Sequence, residues 1–143
     1  MTQKKQIRRC SALAVVFGFL SLWLLLPGAA AETMIQEGIQ NDIPFASGGV
    51  GDEEQSRLRK MARQYNVKVV FAAMSGAYLM NAHLIVRNAQ GRTVMDKDFG
   101  GPWVFMKLPR GDYDICADLN GIEKRRHITV GNRLEEVLFH WRK

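Results

Sequence analysis

From Val67 to Trp141 the apolar residues recur every second position, in runs too short for a helix and each closed by Gly, Pro or Asn. Val67–Ala73 is rich in β-branched residues, and Met74-Ser75-Gly76 turns the chain. Further runs follow at 78–87, 92–99, 103–108, 113–119, Ile122–Val130 and 134–141. Their punctuation is the Asn88–Gly91 segment, Gly100-Gly101-Pro102, Pro109-Arg110-Gly111, Asn120-Gly121 and Gly131-Asn132. In the 113–119 run Tyr113, Ile115, Ala117 and Leu119 share one side, as a half-buried strand requires. Seven short strands at this spacing predict an all-β protein, a seven-stranded Greek-key β-sandwich.

The residues before Val67 behave differently. Leu58, Met61, Ala62 and Tyr65 fall at i, i+3, i+4 and i+7, one face of a helix over 52–65. Asp52, Glu53 and Glu54 open it, and Arg57, Arg59, Lys60 and Arg63 follow, an order that suits the helix dipole. The basic side of this helix is a solvated face or a surface for an anionic partner. Residues 32–51 lack a period and end in Ser47-Gly48-Gly49-Val50-Gly51, so they are expected to form a flexible leader.

Residues 1–31 read as a signal peptide. Lys4, Lys5, Arg8 and Arg9 precede an uncharged apolar run at 11–26, Pro27-Gly28 breaks it, and Ala29-Ala30-Ala31 supplies the small residues of a cleavage site between Ala31 and Glu32. The run has 16 residues, about 24 Å of helix, whereas a membrane span needs roughly 20 residues. The alternative is an uncleaved single-pass anchor. Cys10 precedes the apolar run instead of following it, which argues against a lipid anchor. The expected destination is the periplasm of a Gram-negative bacterium, with membrane association only if the signal is retained.

Cleavage changes what the charge means. The whole chain carries 20 Lys and Arg against 14 Asp and Glu, a net +6. Removing the four N-terminal cations leaves 16 against 14, a balance of +2, which calls for no nucleic acid. One cysteine remains after the signal, Cys116, so no internal disulfide holds the domain. Cys116 alternates with Asp114 and Asp118 away from the Tyr113 side, which marks it as either a reactive thiol or a covered one.

The run Leu108-Pro109-Arg110-Gly111-Asp112-Tyr113-Asp114-Ile115-Cys116-Ala117, with Gly121 and Ile128-Thr129-Val130 after it, resembles the carboxypeptidase regulatory-like domain. So does Leu84-Ile85-Val86-Arg87-Asn88-Ala89-Gln90-Gly91, and the match covers about Val67 to Trp141, the 66–143 region. The resemblance implies a transthyretin-like (prealbumin-like) sandwich, found in accessory modules and in small stand-alone exported proteins. It carries no shared catalytic residues, and fold likeness alone assigns no function.

No catalytic motif stands out. The glycine stretches lack the Lys-Ser/Thr of a phosphate loop, no histidine pair has helical zinc spacing, and no serine sits in a nucleophile elbow. An Asn120-Gly121 hairpin would pair Leu119 with Ile122 and Asp114 with His127. A second hairpin at Gly131-Asn132 would put His127 opposite Glu136. Asp114, His127 and Glu136 would then form a row fit for a weak metal site or for plain cross-strand charge pairing. In the resembling family the last strand usually lies in the other sheet, which would take Glu136 out of that row. The same register places Lys124 and Arg126 on the Tyr113 side, where they must reach the sandwich edge. Tyr78 and Trp103 flank loops and are candidates for an exposed aromatic binding platform, against a default of core packing. These readings predict a non-enzymatic exported binding or accessory module with no cofactor, whose partner is a protein or cell-envelope component. Loops 74–78 and 99–103 would carry the contacts. A periplasmic small-ligand or metal-binding protein using the Asp114/His127 neighbourhood is the alternative.

Overall fold

A computed structural model describes residues 34–142, so the signal segment, the Ala31/Glu32 cleavage site and Cys10 lie outside the described residues. The described chain is mostly β, with two sheets facing each other and one short helix. The sheets contain nine strands: β1 (Gln36–Gln40), β2 (Ile43–Gly48), β3 (Val67–Ala73), β4 (Ala82–Asn88), β5 (Thr93–Phe99), β6 (Trp103–Met106), β7 (Gly111–Leu119), β8 (Ile122–Val130) and β9 (Glu135–Trp141). The first sheet has the order β1-β2-β6-β3-β9 and the second β5-β4-β7-β8. Each of the seven runs from Val67 onward forms a strand.

The expected flexible leader is instead a β-hairpin. β1 and β2 pair antiparallel, Gln36 with Ser47 through Gln40 with Ile43, around Asn41 and Asp42, both at positive φ (48° and 64°). Asn and Asp tolerate this left-handed conformation, which a tight two-residue hairpin needs. Ile43 and Phe45 of β2 enter the main core. The hairpin also protects a neighbouring edge. The Gln40 side chain donates to the Asp96 carbonyl (3.0 Å) and accepts from the Asp96 N–H (3.3 Å), so an amide takes the place of a strand beside β5.

The helix forms where the period places it: α1 (Asp52–Met61), continued by a 3-10 turn at Ala62–Gln64. Three acidic residues occupy its first turn, and Arg59 and Lys60 its last. Leu58 is fully buried against Ala46, Val70, Trp103 and Phe105 on the outer face of the first sheet, with Ile35, Met61, Ala62 and Tyr65 around it. The helix therefore has an apolar cluster of its own, separate from the core between the sheets.

Between the sheets Val69, Phe71, Val104, Val137, Phe139 and Trp141 of the first meet Leu84, Val86, Met95, Ile115 and Ala117 of the second. Two local devices fix the β6–β7 crossing. The buried Asn66 side chain donates to the Leu108 carbonyl (2.7 Å) and accepts its N–H (2.8 Å), and the Tyr113 hydroxyl donates to the Pro109 carbonyl (2.9 Å). Burial of its ring raises the Tyr113 pKa above 10.0.

The β7–β8 hairpin has the expected register, Leu119 against Ile122 and Asp114 against His127. Asn120 and Gly121 hold φ values of 53° and 82°. The Gly131-Asn132 hairpin does not form. β9 crosses to the first sheet and runs parallel to β3, Val67 beside Glu135 through Ala73 beside Trp141. Neither Gly131 nor Asn132 adopts positive φ. The crossing places Val137, Phe139 and Trp141 in the core between the sheets. Lys124 and Arg126 do face the Tyr113 side, opposite Ala117 and Ile115. β8 is an edge strand, so both reach solvent, and the Arg126 guanidinium lies 5.9 Å from the Phe139 ring centre.

Candidate functional site

A concavity of about 630 Å³ opens where β2 hands over to α1. Its volume lies in the range of small-molecule sites. Ser47 and Gly48 at the end of β2 form one wall, Glu54 of α1 another, and Gly100-Gly101 of the β5–β6 turn a third. The glycine-rich stretch supplies the geometry. Gly49 and Gly51 turn the chain at positive φ (94° and 91°). A side chain at Gly49 would press on the Trp103 ring. A Cβ on Gly101 would sit 2.4 Å from the Gly48 carbonyl oxygen, so only glycine permits this approach.

Glu54 holds the turn. Its buried carboxylate accepts the N–H groups of Gly49 (2.9 Å) and Val50 (3.0 Å), while the Gln55 side chain donates to the Gly49 carbonyl (3.1 Å). These charge-assisted bonds sit at the positive end of the helix dipole, which offsets the cost of burying an anion. Glu54 is the one charged residue lining the cavity among the described residues. Ser47, 1% exposed and without a hydrogen-bond partner for its hydroxyl, turns that side chain to the face of β2 that carries Phe45, away from Glu54. A mostly apolar wall with one fixed carboxylate suits a small ligand with an apolar body and a donor or cationic group. Sequence reasoning treated 47–51 as linker and missed this site. The signal was present in Asn41-Asp42, a two-residue turn that makes 36–48 a hairpin and carries Ser47 onto a strand.

The residues singled out from sequence fall elsewhere. Asp114 and His127 do meet, with Nδ1 and Oδ1 3.0 Å apart on the solvated face of the second sheet. Glu136 does not join them, since β9 lies in the other sheet and Glu136 pairs there with Lys68 at 3.1 Å. The three-residue metal row is thus undone by topology, and no group of three potential ligands suited to a metal occurs among the described residues.

Tyr78 and Trp103 do form a pair, their rings perpendicular with centroids 5.8 Å apart. They are no open platform: Tyr78 is 47% exposed but Trp103 only 3%. The Lys68 ammonium (4.3 Å) and the Arg59 guanidinium (5.2 Å) lie over the Trp103 ring. Cys116 is likewise sealed rather than exposed, at 3%, and its Sγ accepts a hydrogen bond from Arg125 Nε at 3.2 Å.

A cluster that sequence reasoning passed over surrounds His83. Its Nδ1 lies 2.7 Å from Asp98 Oδ1 and its Nε2 2.9 Å from Asp96 Oδ1. Both contacts need an N–H, which only the protonated ring supplies. The hydrogen bond to Asp98 raises the His83 pKa above 6.5. Partial burial opposes this, and the charges of Asp98 and Asp96 reinforce it.

Among known proteins, no family model matches the chain and no curated protein matches it in sequence. No helix of the described residues is long and apolar enough to cross a membrane.

Proposed function

We propose that this chain is an exported, non-enzymatic binding module that holds a small ligand, or one side chain of a partner in the cell envelope, in the Ser47/Glu54 cavity. The observation that carries the reading is a ligand-sized, mostly apolar concavity in which a single carboxylate, Glu54, is fixed by two backbone N–H groups. A rigid strand and a clasped turn hold this carboxylate in place, as a preorganised binding site requires. The basic signal-like segment and Ala29-Ala30-Ala31 support export to the periplasm. Strands that cross between sheets after β3, β5, β6 and β8 support a Greek-key sandwich of the transthyretin-like type. So does the placement of the last strand beside β3 in the first sheet, the arrangement expected of the carboxypeptidase regulatory-like domain.

Native mass spectrometry of the protein recovered from the envelope of expressing cells tests the binding reading. A retained small-molecule mass is expected, and Val50→Trp should remove it without lowering the thermal midpoint. Val50 lines the cavity and is itself exposed, so the indole fills the mouth without entering the core. Absence of any retained mass, together with no stabilisation by a panel of amines, amides and short peptides, would sink the reading. Intact mass tests export: a species beginning at Glu32 is expected, and a full-length species makes the protein membrane-anchored instead.

A further inference from the structure

A second site lies further along α1. Ser56, Arg59, Lys60 and Arg63 fall at i, i+3, i+4 and i+7, a single stripe on the helix and its 3-10 extension, and together they line a shallow concavity of about 470 Å³. All four side chains are exposed, and no acidic residue lines the concavity. Among the described residues no carboxylate forms an ion pair with Arg59, Lys60 or Arg63. Elsewhere the half-buried Lys68 pairs with Glu136, and Arg125 with Glu123.

Arg59 is held in place from two sides. Its guanidinium lies 5.2 Å from the Trp103 ring centre, and one terminal nitrogen donates to Gln55 Oε1 at 3.2 Å. Such fixing lowers the entropy lost when its remaining N–H groups bind a ligand. The negative end of the helix dipole accounts for a cation or two near the last turn. It does not account for three cations and a hydroxyl facing one hollow, with one of the cations already stacked and oriented. A planar fork, two further cations and a hydroxyl donor match a compact multivalent oxyanion better than a single carboxylate.

We propose that Ser56, Arg59, Lys60 and Arg63 form a binding site for a phosphate group, either free or carried as a phosphate ester. The site is separate from the Ser47/Glu54 cavity and does not rest on the function proposed for it.

The test uses the full chain, ¹⁵N-labelled, in an uncharged detergent at constant ionic strength, with inorganic phosphate replacing chloride. Saturable shifts are expected at the amides of Ser56, Arg59, Lys60 and Arg63, and at the Trp103 indole beneath Arg59. The double variant Arg59→Gln/Arg63→Gln should weaken binding at least tenfold with an unchanged thermal midpoint, while Lys97→Gln, on β5, leaves it unaltered. A parallel titration with glycerol phosphate separates the sources. Saturation by the ester as well points to a lipid-headgroup type of ligand, and saturation by inorganic phosphate alone to the free anion, and either supports the site. Shifts that stay linear with both titrants, or equal affinity in the double variant, overturn the proposal.

Discussion

The outer faces of the two sheets solve the same problem in opposite ways. The second sheet, β5-β4-β7-β8, leaves its outer face to water and pairs polar side chains directly across neighbouring strands: His83 with Asp98, Asp114 with His127, and the Thr129 hydroxyl donating to Asp112. The first sheet covers its outer face with α1, building a second apolar cluster around Leu58 and Trp103. Both candidate sites sit on the covered side. Covering a sheet requires a chain reversal and a helix, and these create the concavities that a flat face of paired charges lacks.

The sharpest way to break the comparison is at the reversal. Gly101→Val should cost about 3 kcal/mol or prevent folding, because its Cβ would collide with the Gly48 carbonyl, and backbone cannot yield as a side chain can. Gly100→Ala, one residue away in open space, should change stability by less than about 0.5 kcal/mol. Equal losses in urea unfolding would mean that the close approach of the turn to β2 is not what the cavity depends on.

Leu58→Ala comes next, at about 3 kcal/mol for a fully buried leucine. Because Leu58 belongs to the outer cluster, amide exchange should accelerate first over α1 and β2, with the β7–β8 hairpin retaining protection. Uniform loss of protection would mean the two apolar clusters unfold as one.

The charged face responds to pH. The His83 pKa is raised in the folded protein, so its stabilising contribution is fully present below its unfolded value of 6.5 and is lost as pH rises through the higher folded value. The stability advantage of the native chain over His83→Gln should therefore be largest near pH 5 and shrink above neutrality. In an NMR titration Asp98→Asn should lower the His83 midpoint more than Asp96→Asn, since the Asp98 hydrogen bond is the largest cause of the shift. An unshifted midpoint in both variants would remove the carboxylates as its cause.

Legibility followed the same division. Strands β3 to β9 were readable because period two and turn residues are local, and the Asn120-Gly121 register was readable because both residues accept positive φ. The covered side was harder. β1 is a short, mostly exposed edge strand containing Gly38, and β2 carries Pro44, so neither alternates cleanly. The glycines at 48, 49 and 51 resemble a linker until Gly101 and Trp103, more than 50 residues away, are seen to pack on two of them. Glu136 was misplaced for a related reason. Gly131-Asn132 has hairpin composition, but the parallel pairing of β9 with β3 spans 68 residues and leaves no mark in the turn.

The smallest effect is expected at the pair most fully foreseen. Asp114 and His127 lie opposite each other as the hairpin register requires, yet both are well exposed, and each has solvent on its free side. An ion pair in that setting is screened and spends side-chain entropy to form. His127→Ala should change stability by about 0.5 kcal/mol or less, and raising the salt concentration should reduce even that. A loss above about 2 kcal/mol in urea unfolding would mean the outer face of the second sheet is covered in solution, and would place a partner on the side that its paired charges mark as free.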